Sequence, residues 1–595
     1  MEKDVIQGIQ RADTLEQDQE NKPNNRQRAR TAQDYAYRVR THASITASES
    51  FHPGDSLRNL ADFLWQPCIR RATQIDSIST PSVTTTPHQR PCFASLYQIS
   101  NGSMLQLPLD TAKKFEDLGE SVIPSQNCFS LLLLQGYPSP RWLNALGARY
   151  GIDPEYYHRH LLFASASNKG LHKRTATNIL PSCIGDMVSL KVTKIGSEES
   201  TRHSGEQEKL DSLRKHSAKD MASYMTKLAS LNTTGIEAGD SIVREFSLHD
   251  FDYFSLEQTI SLGIHPVGQG WIGIIWDDEG GPLENGLKGP WSIPAIGSDS
   301  LVKYLPTSFH TPGIALKSKK RKVSTPPVSR DRPRTRMELL FDDYSRTIDL
   351  VRATYDPFYA LSPFFKFAVS SEMELLDLIS AKTRDTLDHS LLIHRDNPTL
   401  SNILYHQQVL KCHIQGLQAP ISFMEGLQES PWFEKMTDQQ QKQCARTINS
   451  TLKDYRAALN YAKALISECV QGMSIVAHNA SILEAEKAIT EARGVTKLTR
   501  LATIFAPLAF VTSVFSMNVQ QINSNGPDIW WWICVSTVIA VLTGLFFRYD
   551  VPKLWRIWRR QHITFYRNRR PARKTGSESS SLPPDLEALE GSPGS

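Results

Sequence analysis

Several things are scarce or missing in this sequence, and each absence removes a class of function. There are 8 cysteines in 595 residues, scattered and without a C-x-x-C pair, so neither a disulfide framework nor a cysteine zinc site is expected. Charge of one sign is not in excess. With 67 Lys and Arg against 62 Asp and Glu the formal net charge is only +5, which gives no electrostatic basis for a nucleic-acid partner. No G-x-x-x-x-G-K-[ST] loop occurs and no catalytic constellation emerges, so an enzyme is not expected and no cofactor is called for. The opening stretch MEKDVIQGIQRADTLEQDQENKPNN lacks an apolar h-region, so a cleavable secretory signal is not expected and the N-terminus is expected to be cytosolic.

What is present is local. Leu498–Phe515 supplies 18 residues with a single charge, Arg500, placed near one end where it can snorkel to headgroups. Ile529–Phe547 supplies 19 residues with none. At ~1.5 Å per residue, helices of these lengths span about 27–29 Å, close to the ~30 Å hydrocarbon core. Two membrane helices are therefore expected over 498–515 and 529–547. Trp530, Trp531 and Trp532 form an aromatic belt at one interface, with Trp555 and Trp558 beyond the other. Ten Lys or Arg residues lie between Arg548 and Lys574 against the single Asp550, whereas the connection Ser516–Asp528 has no basic residue. The positive-inside rule then places both termini in the cytosol and makes the basic tail a contact for anionic lipid. Pro507, inside the first span, removes one backbone hydrogen bond and is expected to kink it.

The rest of the chain divides by composition. Residues 1–55 are polar with few aromatics and are expected to be disordered. Residues 56–316 mix β-prone runs such as CFASLYQI, SLLLLQGY, MVSLKVTKI and WIGIIWDD with helical stretches such as PRWLNALGARYG and DPEYYHRHLLF, which predicts an α/β cytosolic domain. Its polar, aperiodic stretch 196–220 reads as an exposed disordered insertion. Residues 317–336 form a basic, Pro-rich linker, in which Lys319–Val323 reads as a solvated run in preference to a nuclear import signal.

From 337 to 497 the pattern is helical, with Glu372–Thr386, Leu400–Leu427 and a long segment from Asp438. In that last segment apolar or small residues recur at steps of four and three from Ile448 to Leu483. The stripe suits packing between subunits and packing within one chain equally. No proline interrupts Asp438–Ala506, so this stalk can run into the first span; taken to Met517 it is 80 residues, about 120 Å. Residues 548–595 are a basic and then disordered tail.

The stretch Leu498–Ile522, LTRLATIFAPLAFVTSVFSMNVQQI, resembles the first membrane helix of the CorA-type magnesium channel family, with its Leu-Thr, Ala-Thr-Ile-Phe, Pro-Leu and Phe pattern ending in Gly-Met-Asn. Gln135–Leu161 and Leu248–Leu262 look like the fungal branch of that family. The resemblance implies a homopentameric, passive membrane channel for Mg²⁺ or a related divalent cation. Its fold is an N-terminal α/β domain, a long helical stalk and two C-terminal transmembrane helices. It also implies that Ser516, Met517 and Asn518 form the selectivity motif, Asn518 meeting the ion through its hydrating water. Ala509, Ala506, Leu498 and Val495 then line the pore. The chemistry suits Mg²⁺, which gives up its water shell reluctantly and is well served by neutral amide oxygens. Mg²⁺ enters as the transported ion, with a regulatory role left open. Two departures stand out: Ser516 replaces the family's Gly, and Ala509 stands where a polar Thr is common. The alternative is a non-conducting, membrane-anchored sensor or interaction protein on the same scaffold.

Overall fold

A computed structural model describes residues 31–73, 93–100, 103–109, 111–118, 124, 128–161, 187–198, 207–229, 236–267, 270–292, 302–308, 335–392, 398–516 and 529–548. The chain divides into two units, Met1–Val476 and Ala477–Ser595.

The first unit is built on a sheet of β1 (Ala94–Ser100), β2 (Ser103–Leu109), β3 (Phe129–Gln135), β4 (Met187–Glu198), β5 (Glu245–Leu248), β6 (Tyr253–Val267), β7 (Gly270–Asp277) and β8 (Val302–Tyr304). The strand order is β2-β1-β3-β7-β6-β4-β8, with β5 pairing beside β6. β3 and β7 pair in parallel and the other pairs are antiparallel. β3, FSLLLLQ, is buried throughout, which is why it reads as an unbroken apolar run: both its faces are covered. Because side chains alternate along a strand, Leu132 and Leu134 enter one core while Leu131 and Leu133 enter another. Each buried leucine contributes about 1.5–3 kcal/mol by leaving water.

The first core is closed by α1 (Ala32–Ser44), α2 (Arg58–Thr73), α3 (Ala112–Asp117), α4 (Pro140–Tyr150), α5 (Pro154–His160) and α6 (Gln207–Ala229). Two of these helices correct the sequence reading. α1 lies inside the stretch 1–55 expected to be disordered. Thr31 and Asp34 close its first turn as a capping box, and Tyr35, Ala36, Val39 and Ala43 are buried. Tyr35 seats against Gly147, where a Cβ would lie 2.3 Å from the ring, and its hydroxyl donates to the Ile152 carbonyl at 2.9 Å. α6 occupies most of the supposed insertion 196–220, and β4 continues to Glu198. Its anchor is polar. The Arg214 guanidinium stacks over Tyr405 at 4.0 Å and donates to Asn402 Oδ1 at 2.7 Å and the His249 carbonyl at 2.7 Å.

The second core joins the other face of the sheet to α7 (Arg336–Thr347), α8 (Leu350–Tyr355), α9 (Pro357–Leu392), α10 (Pro398–Gly426) and the first part of α11 (Asp438–Ser516). The helices after the basic linker are thus the second covering layer of the sheet, where the sequence divided the α/β domain 56–316 from a helical region 337–497. The linker's described end makes the joint. Thr335 Oγ1 accepts from Gln135 Nε2 at 2.8 Å. Arg336 grips both oxygens of the fully buried Asp277, with Nε to Oδ2 at 3.0 Å, and its backbone N–H donates to Glu279 at 2.8 Å. Asp278 is held in the same way by Arg244, at 2.7 and 2.8 Å. Burial alone would raise its carboxyl, but Arg244 and His160 bring it down to about 2.

A second buried polar joint ties β6 to α9 and α10. His413 lies 2.9 Å from Glu257 and 2.7 Å from Glu372, and Lys191 reaches Glu257 at 2.9 Å. Burial works against charge on His413, yet the Glu372 and Glu257 carboxylates outweigh it and push it up to about 10. The imidazolium is the counter-ion of two buried carboxylates.

A third cluster, between α9, α10 and α11, contains Leu376, Ile379, Ile403, Leu410, Leu465 and Cys469. Over Ile448–Cys469 the apolar stripe of α11 is therefore spent inside its own chain. Ala458 and Leu465 are fully covered while Leu459 and Ile466 are half-buried, a broader stripe than a strict heptad seam.

Four further histidines in this unit are held neutral, His160, His249 and His406 buried and His265 half-buried. Burial pushes His160 and His265 down to about 4 and His249 to about 3, and pushes His406 well below its ordinary value. Their stability contribution is complete above ~6.5, the value in the unfolded chain, and declines as pH falls through that value toward the folded ones. Each adds a slope of about 1.4 kcal/mol per pH unit within that window. Denaturant titrations at pH 7 and pH 5 are expected to show a marked loss of stability at the lower pH. Equal midpoints at the two values would show that these imidazoles are not held neutral.

Candidate membrane pore segment

α11 has a helix-forming sequence throughout and no glycine between Gly494 and Ser516, so it passes through Pro507 and ends at Ser516. It contains a stretch that is long and apolar enough to cross a membrane, with 6 % of that stretch buried. α12 (Ile529–Arg548) carries the apolar stretch Trp530–Leu542; among the described residues this is shorter than the 19-residue span expected from the sequence.

Hydroxyls along this part of α11 are turned back on the helix. Thr499 Oγ1 donates to the Val495 carbonyl at 2.9 Å, Thr503 to Thr499 at 2.7 Å and Thr512 to Leu508 at 2.8 Å. A threonine that satisfies its hydroxyl in this way presents its methyl group outward. Ser516 does likewise, its Oγ donating to the Ser513 carbonyl at 2.9 Å. Ser516 thus spends its hydroxyl on its own helix.

The proposed lining residues are placed as follows. Val495 and Leu498 are 63 % and 67 % exposed, and Ala506 and Ala509 are exposed as well. At about 100° per residue these four positions fall within an arc of roughly 80°, and Ser513 and Ser516 fall on the same arc. Pro507 is half-buried. Met517 and Asn518 lie outside the described residues, as do Lys319–Val323 and the basic tail beyond Arg548.

A different side of α11 carries its contacts. Val511 is 5 % exposed, and Leu508 shares a groove of about 480 Å³ with Trp532, Ile533, Ser536, Thr537, Ala540 and Val541 of α12. Leu508 and Val511 are centred roughly 150° around the helix from the Val495–Ala509 arc. The α12-facing flank and the Val495–Ala509 arc are therefore nearly opposite. Periodicity alone left each of these residues open to helix packing or pore lining. Small residues at Ala506, Ala509, Ser513 and Ser516 were readable in the sequence at this spacing, with Val495 and Leu498 on the same arc, but which flank meets α12 required the structure.

Three comparisons bear on the chain. Residues 338–548 match the family model described as CorA-like Mg2+ transporter protein. No curated protein matches significantly. Among solved structures, the complete structure of the CorA magnesium transporter from Methanocaldococcus jannaschii is similar at a TM-score of 0.36 and 12% identity, over 79% of this chain and 99% of that one.

Proposed function

We propose that this chain, whose residues 338–548 match the family model described as CorA-like Mg2+ transporter protein, belongs to that family and is a passive channel for Mg²⁺ or a related divalent cation. The observation that carries the reading is the arrangement of α11: an open arc containing Val495, Leu498, Ala506 and Ala509, with the α12-facing flank on the other side. Copies of α11 set around an axis, as a homopentamer, would turn that arc inward and leave α12 outside. Apolar rings of this kind gate by dewetting, and Ser516, Met517 and Asn518 continue the pore at its outer mouth. The basic stretch beyond α12 keeps both termini in the cytosol. No energy source is needed beyond the membrane potential, worth roughly 4.6 kcal/mol for a divalent ion at 100 mV, since each charge contributes ~2.3.

The test is Mg²⁺ flux in vesicles reconstituted with the full chain, native and Ser516→Gly. Because the Ser516 hydroxyl is bonded within its own helix, removing it disturbs only the last turn. Gly costs a few tenths of a kcal/mol against Ser there, so flux is expected in both proteins and to differ by less than about tenfold. If neither protein carries Mg²⁺, the channel reading fails and the scaffold is a non-conducting anchor.

A further inference from the structure

A recess that the channel reading leaves unused lies in the first unit, where α8 and the start of α9 meet α11. It has a volume of about 660 Å³, within the range of small-molecule sites. Five charged side chains belong to it or support it, and they are not equivalent.

Arg352 is fixed in place. It stacks over Tyr359 at 4.0 Å, binds the fully buried Asp356 at 2.8 Å, and donates to the Gln443 carbonyl at 2.9 Å and Thr447 Oγ1 at 2.6 Å. Asp356 is thereby spent on Arg352. Asp349 is spent as the cap of α8, accepting from the backbone N–H groups of Val351 and Arg352 at 3.0 and 3.4 Å. Lys366, half-buried, and Arg446, exposed, remain in the lining with no ion-pair partner among the described residues. A partly desolvated ammonium without a counter-ion is unfavourable, and a bound anion would relieve it.

Size and lining narrow the class. A single phosphate would fill a small part of the space, and the wall also presents the half-buried rings of Tyr355 and Tyr359. Aromatic faces beside paired cations suit a planar base joined to a phosphate chain. We propose that this cleft binds a nucleoside polyphosphate, with Lys366 and Arg446 reading the phosphates and Tyr355 the base. The proposal is independent of conduction, since it rests on residues of the first unit alone.

The test uses the full chain in detergent, titrated by calorimetry with magnesium-free ATP, with tripolyphosphate, and with phosphoinositide-containing vesicles after reconstitution. Expected is saturable binding of one ATP per chain with a Kd below ~1 mM, weakened at least about tenfold in Lys366→Gln/Arg446→Gln at an unchanged unfolding midpoint. Tyr355→Ala is expected to weaken ATP binding more than tripolyphosphate binding. The proposal is overturned by absence of saturable ATP binding, by equal affinity in the double variant, or by vesicles binding where ATP does not. Equal affinity for ATP and tripolyphosphate, unaffected by Tyr355→Ala, would overturn the assignment to a nucleoside.

Discussion

Replacing Arg336 by Met is expected to destabilise the first unit by about 3–5 kcal/mol, the range for breaking one side of a buried ion pair. The cause is the charge left behind rather than the contact removed. Asp277 is fully buried and receives two guanidinium hydrogen bonds from Arg336, while Glu279 accepts the Arg336 backbone N–H and has Lys194 at 3.2 Å. Without Arg336, Asp277 must take up a proton or stay ionised in a site closed to water, and either state is costly. The same substitution loosens the start of α7, through which the second helical layer is tied to the end of β7. Denaturant unfolding of the full chain, followed by the fluorescence of the buried Trp276, gives the measurement. Combining Arg336→Met with Asp277→Leu should recover a substantial part of the loss, because neither charge is then stranded. A loss below about 1 kcal/mol in the single variant would mean that the pair is solvated and the joint is not where the two layers are fastened.

Asn518→Ala is expected to reduce Mg²⁺ flux in reconstituted vesicles by at least about tenfold, with the assembly unchanged in size. The argument comes from the ion. Mg²⁺ holds its octahedral waters tightly, so a selective mouth has to bind those waters through neutral acceptors that do not trap the charge. On the proposed pore, one Asn518 amide from each subunit would supply such acceptors. Each hydrogen bond contributes about 0.5–1.5 kcal/mol, so losing the ring removes more than the 1.4 kcal/mol that corresponds to a factor of ten. Asn518→Asp should also slow transport, by holding the ion too strongly instead of too weakly. Flux untouched by Asn518→Ala would refute the ring and with it the assignment of Ser516, Met517 and Asn518 as the selectivity motif.

Much of the architecture could be read from local pattern. The continuous apolar run at Phe129–Gln135 is a strand covered on both faces, PRWLNALGARY is a helix with proline at its start and Gly151 in the left-handed conformation at its end, and α11 begins at the expected Asp438. α1 was missed although the signal was present. Thr31 and Asp34 have capping-box spacing, followed by an apolar stripe at Tyr35, Val39 and Ala43, but the polar average of the segment outweighed it. α6 buries Met221, Tyr224 and Leu228 in the first core, but its polar average outweighed that stripe, and its other fastening, Arg214 reaching Asn402 and Tyr405 of α10, uses residues that no window around Arg214 contains. β6 is similar: Ser255, Glu257, Gln258 and Ser261 are buried polar residues whose partners come from other elements, so the strand lacks the apolar signature of β3 or β7.

The sequence by itself determined what depends on neighbours along the chain: the apolar stretch at Leu498–Phe515, the basic tail and the periodicity of α11. These are properties of composition and spacing, and solvent or lipid acts on them directly. Tertiary structure decided everything that needs two distant segments in one place. It spent the α11 stripe up to Cys469 inside the chain's own bundle, made the helices after the linker the second layer of the sheet, and paired Arg336 with Asp277. It also set Leu508 and Val511 on one flank of α11 and left Val495, Leu498, Ala506 and Ala509 open on the other. The physical reason is the same in each case: a buried charge or an apolar face is satisfied by whichever partner the fold brings within a few ångströms, and sequence distance does not enter that energy.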